Sequence, residues 1–205
     1  MSRQALIQHL RAARIVPVVR TSTAAHAETA VLWLQAAGIR IFEITMTIQG
    51  AIPLIARLAK DPELLIGAGT VPDAATAQAC LDAGARFLVA PWVDPTLSAP
   101  CRAAGAALML GALTPTEVRA ALAAGADVVK VFPASSAGGP GHIKALVSVF
   151  PGVAFCPTGG VEPGNVAAYL SAGAAFVGMG GALVDEKRIA AGDRAAIEAA
   201  ARAIL

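Results

Sequence analysis

Charge is scarce in this sequence. Asp, Glu, Lys and Arg supply 15% of its 205 residues and leave a net charge of +2, with the basic residues scattered rather than clustered. A chain so balanced projects no long-range field, which argues against nucleic acid and anionic membrane surfaces as partners. Cysteine is also rare: Cys80, Cys101 and Cys156 form no CxxC pair and stand at no His/Cys metal spacing, so no metal site is expected. No apolar stretch reaches bilayer-spanning length, and Met1 to Arg14 is too polar for a signal peptide, so a cytoplasmic protein is expected.

What the chain has in abundance is apolar surface and punctuating glycine. Hydrophobic residues make up 56%, enough to bury nearly every strand on both faces. Glycine recurs in Ala37-Gly38-Ile39, Ala83-Gly84-Ala85, Ala104-Gly105-Ala106, Ala124-Gly125-Ala126 and Ala172-Gly173-Ala174, each time between a helix-like segment and an apolar run. Each is a helix stop followed by a strand, because glycine enters the left-handed region without a Cβ clash. The apolar runs are Ile15 to Val19, Ile39 to Thr45, Leu64 to Thr70, Phe87 to Pro91, Ala107 to Leu113, Val128 to Phe132, Ala154 to Thr158 and Ala175 to Met179. Between them lie Ala-rich helical segments such as Ala24 to Ala37, Ala74 to Ala83 and Thr116 to Ala124. Strand and helix in alternation predict a parallel sheet covered by helices. Repeated through eight strands, the pattern predicts an α/β fold, a (β/α)8 TIM barrel as one domain over residues 1–205, with Met1 to Arg14 as a capping helix. A doubly wound open sheet fits less well, since the regular spacing continues to the eighth strand without a shift in composition.

Against this apolar background two charges stand out. Lys130 interrupts Asp127-Val128-Val129-Lys130-Val131-Phe132-Pro133, and Glu43 interrupts Ile41-Phe42-Glu43-Ile44. Burial disfavours an ammonium ion, and a deprotonated lysine is a nucleophile that attacks ketones to give imines. The structural alternative for Lys130 is an edge-strand side chain reaching water. Parity puts Ile41, Glu43 and Thr45 on one face of their strand, so a carboxylate and a lysine can enter one barrel and share protons. A purely structural ion pair is the alternative, but such pairs rarely add stability over apolar packing.

Active sites of these barrels lie at the C-terminal mouths of the strands. That rule selects Arg20, Glu43, Thr45, Thr70, Lys130, Phe132 and Thr158 with Gly159 and Gly160. The run Cys156-Pro157-Thr158-Gly159-Gly160-Val161-Glu162-Pro163 reads as strand, glycine pair and helix start, and Gly180-Gly181 follows the eighth strand. Glycines there let backbone amides approach an anion, and the loops after strands seven and eight are the usual phosphate site of such barrels. Tight turns alone are the alternative. Gly67-Ala68-Gly69-Thr70 leaves room at the mouth and ends in a hydroxyl. Cys80 and Cys101 read as helix core, while Cys156 can approach the pocket but has no base beside it. His9 and His26 read as surface residues, and His142 follows a glycine-rich loop above the sixth strand.

Together, Phe42-Glu43-Ile44-Thr45, Ile66-Gly67-Ala68-Gly69-Thr70-Val71, Lys130-Val131-Phe132-Pro133-Ala134 and Phe155-Cys156-Pro157-Thr158-Gly159-Gly160 resemble the signature segments of the 2-keto-3-deoxy-6-phosphogluconate/4-hydroxy-2-oxoglutarate aldolase family. The resemblance runs in order from about Ile15 to the end. It implies a class I aldolase with Lys130 as the Schiff-base lysine and Glu43 as the general acid/base. It further implies that Thr70, Pro91, Phe132 and Thr158 line the pyruvate end, with Gly159, Gly160, Gly180 and Gly181 at a phosphate. A homotrimer with no metal or organic cofactor, acting on a small 2-keto acid, follows from the same likeness. Two positions depart from the pattern: Thr47 stands where the phosphogluconate enzymes commonly carry an arginine, and Gly181 where they carry a serine. Arg20 is then the candidate to hold the anion. Thr158 resembles the phosphogluconate branch and Thr47 the phosphogalactonate branch. A non-catalytic sugar-phosphate-binding barrel, with Lys130 merely balancing Glu43, is the competing expectation.

Overall fold

The computed structural model describes residues 1–205. Its strands are β1 (Ile15–Val19), β2 (Ile41–Thr45), β3 (Leu65–Gly69), β4 (Phe87–Ala90), β5 (Ala107–Ala112), β6 (Val128–Val131), β7 (Phe155–Pro157) and β8 (Val177–Met179). They form one sheet in the order β7-β6-β5-β4-β3-β2-β1-β8, and every named pairing is parallel. Between β7 and β8 a single bridge, Thr158 to Gly178, draws the two edges together. The result is a nearly closed (β/α)8 barrel.

The helices are α1 (Arg3–Ala13), α2 (Ala24–Ala36), α3 (Ala51–Leu58), α4 (Ala74–Asp82), α5 (Ser98–Ala103), α6 (Pro115–Ala123), α7 (Gly139–Val149), α8 (Val166–Ser171), α9 (Glu186–Ala190) and α10 (Arg194–Arg202). Their ends follow from local chemistry. Thr23, Asp73 and Thr114 cap α2, α4 and α6 with side-chain oxygens, and Thr114 completes a capping box with Glu117. Gly38 closes α2 at φ 109 and Gly84 closes α4 at φ 102, a region that other residues enter only at a cost. No helix is long and apolar enough to cross a membrane.

The strands bury both faces. Outward residues such as Val19, Phe42, Ile44, Leu88 and Val129 pack under the helices. Inward residues Val16, Ile41, Phe87, Val89, Met109, Val128 and Phe176 form a second cluster, sealed by Leu6 and Leu10 of α1. The expected capping helix is therefore present, and it plugs the N-terminal mouth of the barrel. Glycines make the remaining interior space. A Cβ on Gly67 would overlap the Phe87 ring, one on Gly69 the Glu43 carboxylate, and one on Gly178 the Thr158 hydroxyl.

Several strands are shorter than the apolar runs suggest. β2 starts at Ile41 because the Ile39 N–H still bonds the Leu34 carbonyl of the helix stop. β8 starts at Val177 and not at Ala175, although the Ala175 N–H already bonds the Phe155 carbonyl. The helix expected directly after Gly160 is also displaced. Gly159 and Gly160 turn at φ 89 and 71, Asn165 accepts from Glu162 N–H and donates to the Gly160 carbonyl, and α8 begins only at Val166. Any anion there meets a turn of backbone amides, not a helix end.

Candidate active site

Two charged side chains meet inside the barrel, contributed by strands on different sides of it. Lys130 Nζ lies 3.1 Å from Glu43 Oε1 and 3.5 Å from Oε2, with the side chains only 5% and 6% exposed. Gly69 makes room for the carboxylate, since a Cβ there would overlap Glu43, while the register partners Gly67 and Gly111 leave their space to the Phe87 ring and the Pro91 backbone. The pair stands one inward layer above Ile41 and Val128. A separation of 3.1 Å allows a proton to pass between the two groups. Lys130 Nζ also lies 5.8 Å from the centre of the Phe132 ring, within cation–π range.

Above the pair opens a cavity of 760 Å³, a size suited to a small-molecule ligand. Arg20, Thr70, Pro91, Lys130, Phe132 and Thr158 line it, together with Gly159, Gly160, Gly180 and Gly181. Glu43 lies beneath, behind the lysine. The sequence-selected residues thus converge on one mouth from β1, β3, β4, β6, β7 and β8. Arg20 donates from Nη2 to Thr70 Oγ1 at 3.1 Å. Thr70 holds φ 55, uncommon for a β-branched residue and a form of strain that concentrates at functional sites.

Thr47 is not among the lining residues. Its hydroxyl pairs with Thr45 at 2.8 Å, while Thr45 donates to the Val19 carbonyl at 3.1 Å. His142 turns its Nε2 to the Leu113 carbonyl at 2.7 Å, and Cys156 sits 3.8 Å below the Thr158 hydroxyl. Burial raises the Cys156 thiol to about 12, which removes it as a nucleophile at neutral pH. Cys80 and Cys101 are buried on α4 and α5, raised by desolvation to about 11 and about 12. No group of three His, Cys, Asp or Glu side chains is arranged to hold a metal ion.

Some lining residues were not selected from the sequence. Val18 is the inward residue between Val16 and Arg20, and strand parity alone identifies it. Glu162 brings a carboxylate to the cavity lining, and its signal was an acid two residues after the glycine pair.

A buried lysine–carboxylate pair beneath a cavity at the C-terminal mouth of a parallel barrel is the layout of an enzyme acting on small carbonyl compounds. Residues 6–200 match the family model "Aldolase: KDPG and KHG aldolase". The chain is 34% identical over 189 residues to 2-dehydro-3-deoxy-phosphogluconate aldolase of Treponema pallidum, covering 92% of this chain and 90% of that one. To KHG/KDPG aldolase of Escherichia coli K12 it is 32% identical, covering 87% and 84%. The crystal structure of KDPG aldolase from Legionella pneumophila, with pyruvate captured as a covalent carbinolamine, superposes with a TM-score of 0.88 at 32% identity, covering 100% and 98%. The chain belongs to the KDPG and KHG aldolase family and is a carbon–carbon lyase.

Proposed function

We propose that the chain is a class I aldolase that cleaves 2-keto-3-deoxy-6-phosphogluconate to pyruvate and glyceraldehyde 3-phosphate through a Schiff base on Lys130. The observation that carries this is the buried contact of 3.1 Å between Lys130 and Glu43 at the floor of the cavity. The neutral amine of Lys130 adds to the C2 carbonyl, and a proton from Glu43 carries the carbinolamine hydroxyl off as water, leaving a protonated imine and an ionised Glu43. Glu43 takes the proton of the C4 hydroxyl, with water as relay, and the electrons of the C3–C4 bond pass into the imine. The aldehyde departs and an enamine remains. Protonation at C3 and addition of water release pyruvate and restore the amine, so the reaction needs no metal or organic cofactor. The carbinolamine of the Legionella pneumophila relative supports the lysine as nucleophile.

Arg20, tied to Thr70, supplies the cation for an anionic group of the substrate, and the turns at Gly159–Gly160 and Gly180–Gly181 supply backbone amides for the phosphate. The homotrimer and the cytoplasmic setting belong to the same reading. One observation favours a second substrate, 4-hydroxy-2-oxoglutarate. Glu162 stands at the rim beside the glycine turn, where it opposes a doubly charged phosphate more than a carboxylate. Comparing kcat/KM for the gluconate and galactonate phospho-epimers, their dephosphorylated forms and 4-hydroxy-2-oxoglutarate decides among them. The phosphogluconate epimer is expected to lead; preference for an unphosphorylated acid would leave only the pyruvate half of this assignment.

A further inference from the structure

Outside the cavity, one oxygen gathers three donors from distant sequence. Oε1 of Glu186 lies 2.7 Å from the Ser22 N–H, 2.6 Å from the Ser22 hydroxyl and 2.9 Å from His26 Nδ1. Glu186 is the first residue of α9, yet α9 is capped by Asp185, which accepts from Lys187 and Arg188. The Glu186 carboxylate therefore has no task in its own helix and reaches instead to the segment between β1 and α2. The hydroxyl of Ser22, then His26 and the Ser22 N–H, hold its carboxyl down at about 2, so it stays ionised through the neutral range. The trio is no hydrolytic triad: Ser22 donates to the carboxylate and not to the imidazole, so no base activates it.

Its position gives it a role. Ser22 follows Arg20 by two residues, and Glu186 follows the cavity residues Gly181 and Val184. A depression of 630 Å³ lined by Ser22, His26 and Glu186 meets the substrate cavity at Gly181 and Val184. Arg20 is itself exposed, and its side chain makes one hydrogen bond within the chain, to Thr70. A long, exposed arginine held by one neutral bond needs its backbone fixed if it is to meet substrate without an ordering cost.

We propose that Glu186, through Ser22 and His26, is a positioning residue that locks the β1–α2 segment to the β8–α9 segment and so presets Arg20 for the anionic group of the substrate. The role rests on the proposed function, in which Arg20 binds that group. Glu186→Ala should raise KM for the preferred 2-keto acid about 10-fold, the order expected for losing hydrogen bonds to a charged group, with kcat unchanged. Glu186→Gln, which keeps one acceptor oxygen, should fall between. Ser22→Ala, a change on an exposed segment, should raise KM in the same direction and carries the test should Glu186→Ala fail to fold. In an Arg20→Ala background, the Glu186 substitution should add no more than about 2-fold, because the two act in series. Trapping of saturating pyruvate on Lys130 by borohydride should persist in Glu186→Ala and Ser22→Ala. Unchanged KM in both Glu186→Ala and Ser22→Ala, beside a raised KM in Arg20→Ala, overturns the positioning role alone. The same rise in KM with and without Arg20 also overturns it. A normal KM in Arg20→Ala overturns both the role and the anion assignment, and absence of trapping refutes the Schiff-base reading separately.

Discussion

The two ends of the barrel interior are built from the same strands and differ by one step of the pleat. At the N-terminal end the inward positions are Val16, Ile41, Phe87, Val128 and Phe176, closed over by Leu6 and Leu10. Two residues further along each strand they are Val18, Glu43, Val89, Lys130 and Gly178. Only β2 and β6 exchange an apolar residue for a charge, and each charge stands in register with a glycine. The lower layer gains stability from apolar burial, whereas the upper layer holds two ions that contribute little net stability and leaves space beside them. A site can therefore be placed within one residue pair of a dry core, and beside Glu43 the room comes from Gly69.

This contrast can be broken most severely at the upper layer. Glu43→Gln keeps shape and most hydrogen bonding but removes the proton acceptor, and turnover per folded molecule should fall about 10²- to 10⁴-fold. Steady-state rates beside thermal unfolding check this; turnover within a few-fold of wild type would make Glu43 structural. At the lower layer the signs reverse. Leu10→Ala should cost about 2–5 kcal/mol in denaturant unfolding and leave kcat per folded molecule unchanged. A matching loss of kcat would mean that the two layers are not separable.

A finer test sits on the boundary. Gly69→Ala adds one methyl, which must displace the Glu43 carboxylate it would overlap. A displacement near 1 Å should reduce kcat by about 10²-fold, while the folded state persists as read by circular dichroism. The smallest effect is expected at Cys156, buried below Thr158 and held near 12 by desolvation. Iodoacetamide at neutral pH should leave Cys156 unmodified and activity intact; rapid alkylation there would show that the layer beneath the site is open.

Much of this was legible in the sequence, for physical reasons that differ by region. Lys130 and Glu43 were conspicuous because each interrupts an apolar strand, and period-two parity put Glu43 on one face with Ile41 and Thr45. The glycine stops at Gly38 and Gly84 were readable because they demand positive φ. Strand ends were less so: Ile39 is as apolar as Ile41, and only the hydrogen bond to Leu34 assigns it to the helix stop. The turn after Gly160 was hidden because its form depends on the Asn165 side chain folding back. Thr47 stands where the phosphogluconate enzymes commonly carry an arginine, and its pairing with the Thr45 hydroxyl depends on the bend after β2, which composition does not show. The link from Glu186 to Ser22 could not be read at all, since nothing local connects residues so far apart in the chain.

The proposed mechanism turns on Lys130 as the nucleophile. Incubation with pyruvate and borohydride, followed by peptide mapping, tests it most directly. One reduced pyruvyl adduct should appear on Lys130 and none on Lys60, Lys144 or Lys187, because only Lys130 opens onto the cavity from within a strand. An adduct on another lysine, or no adduct in protein that is folded, would contradict the account.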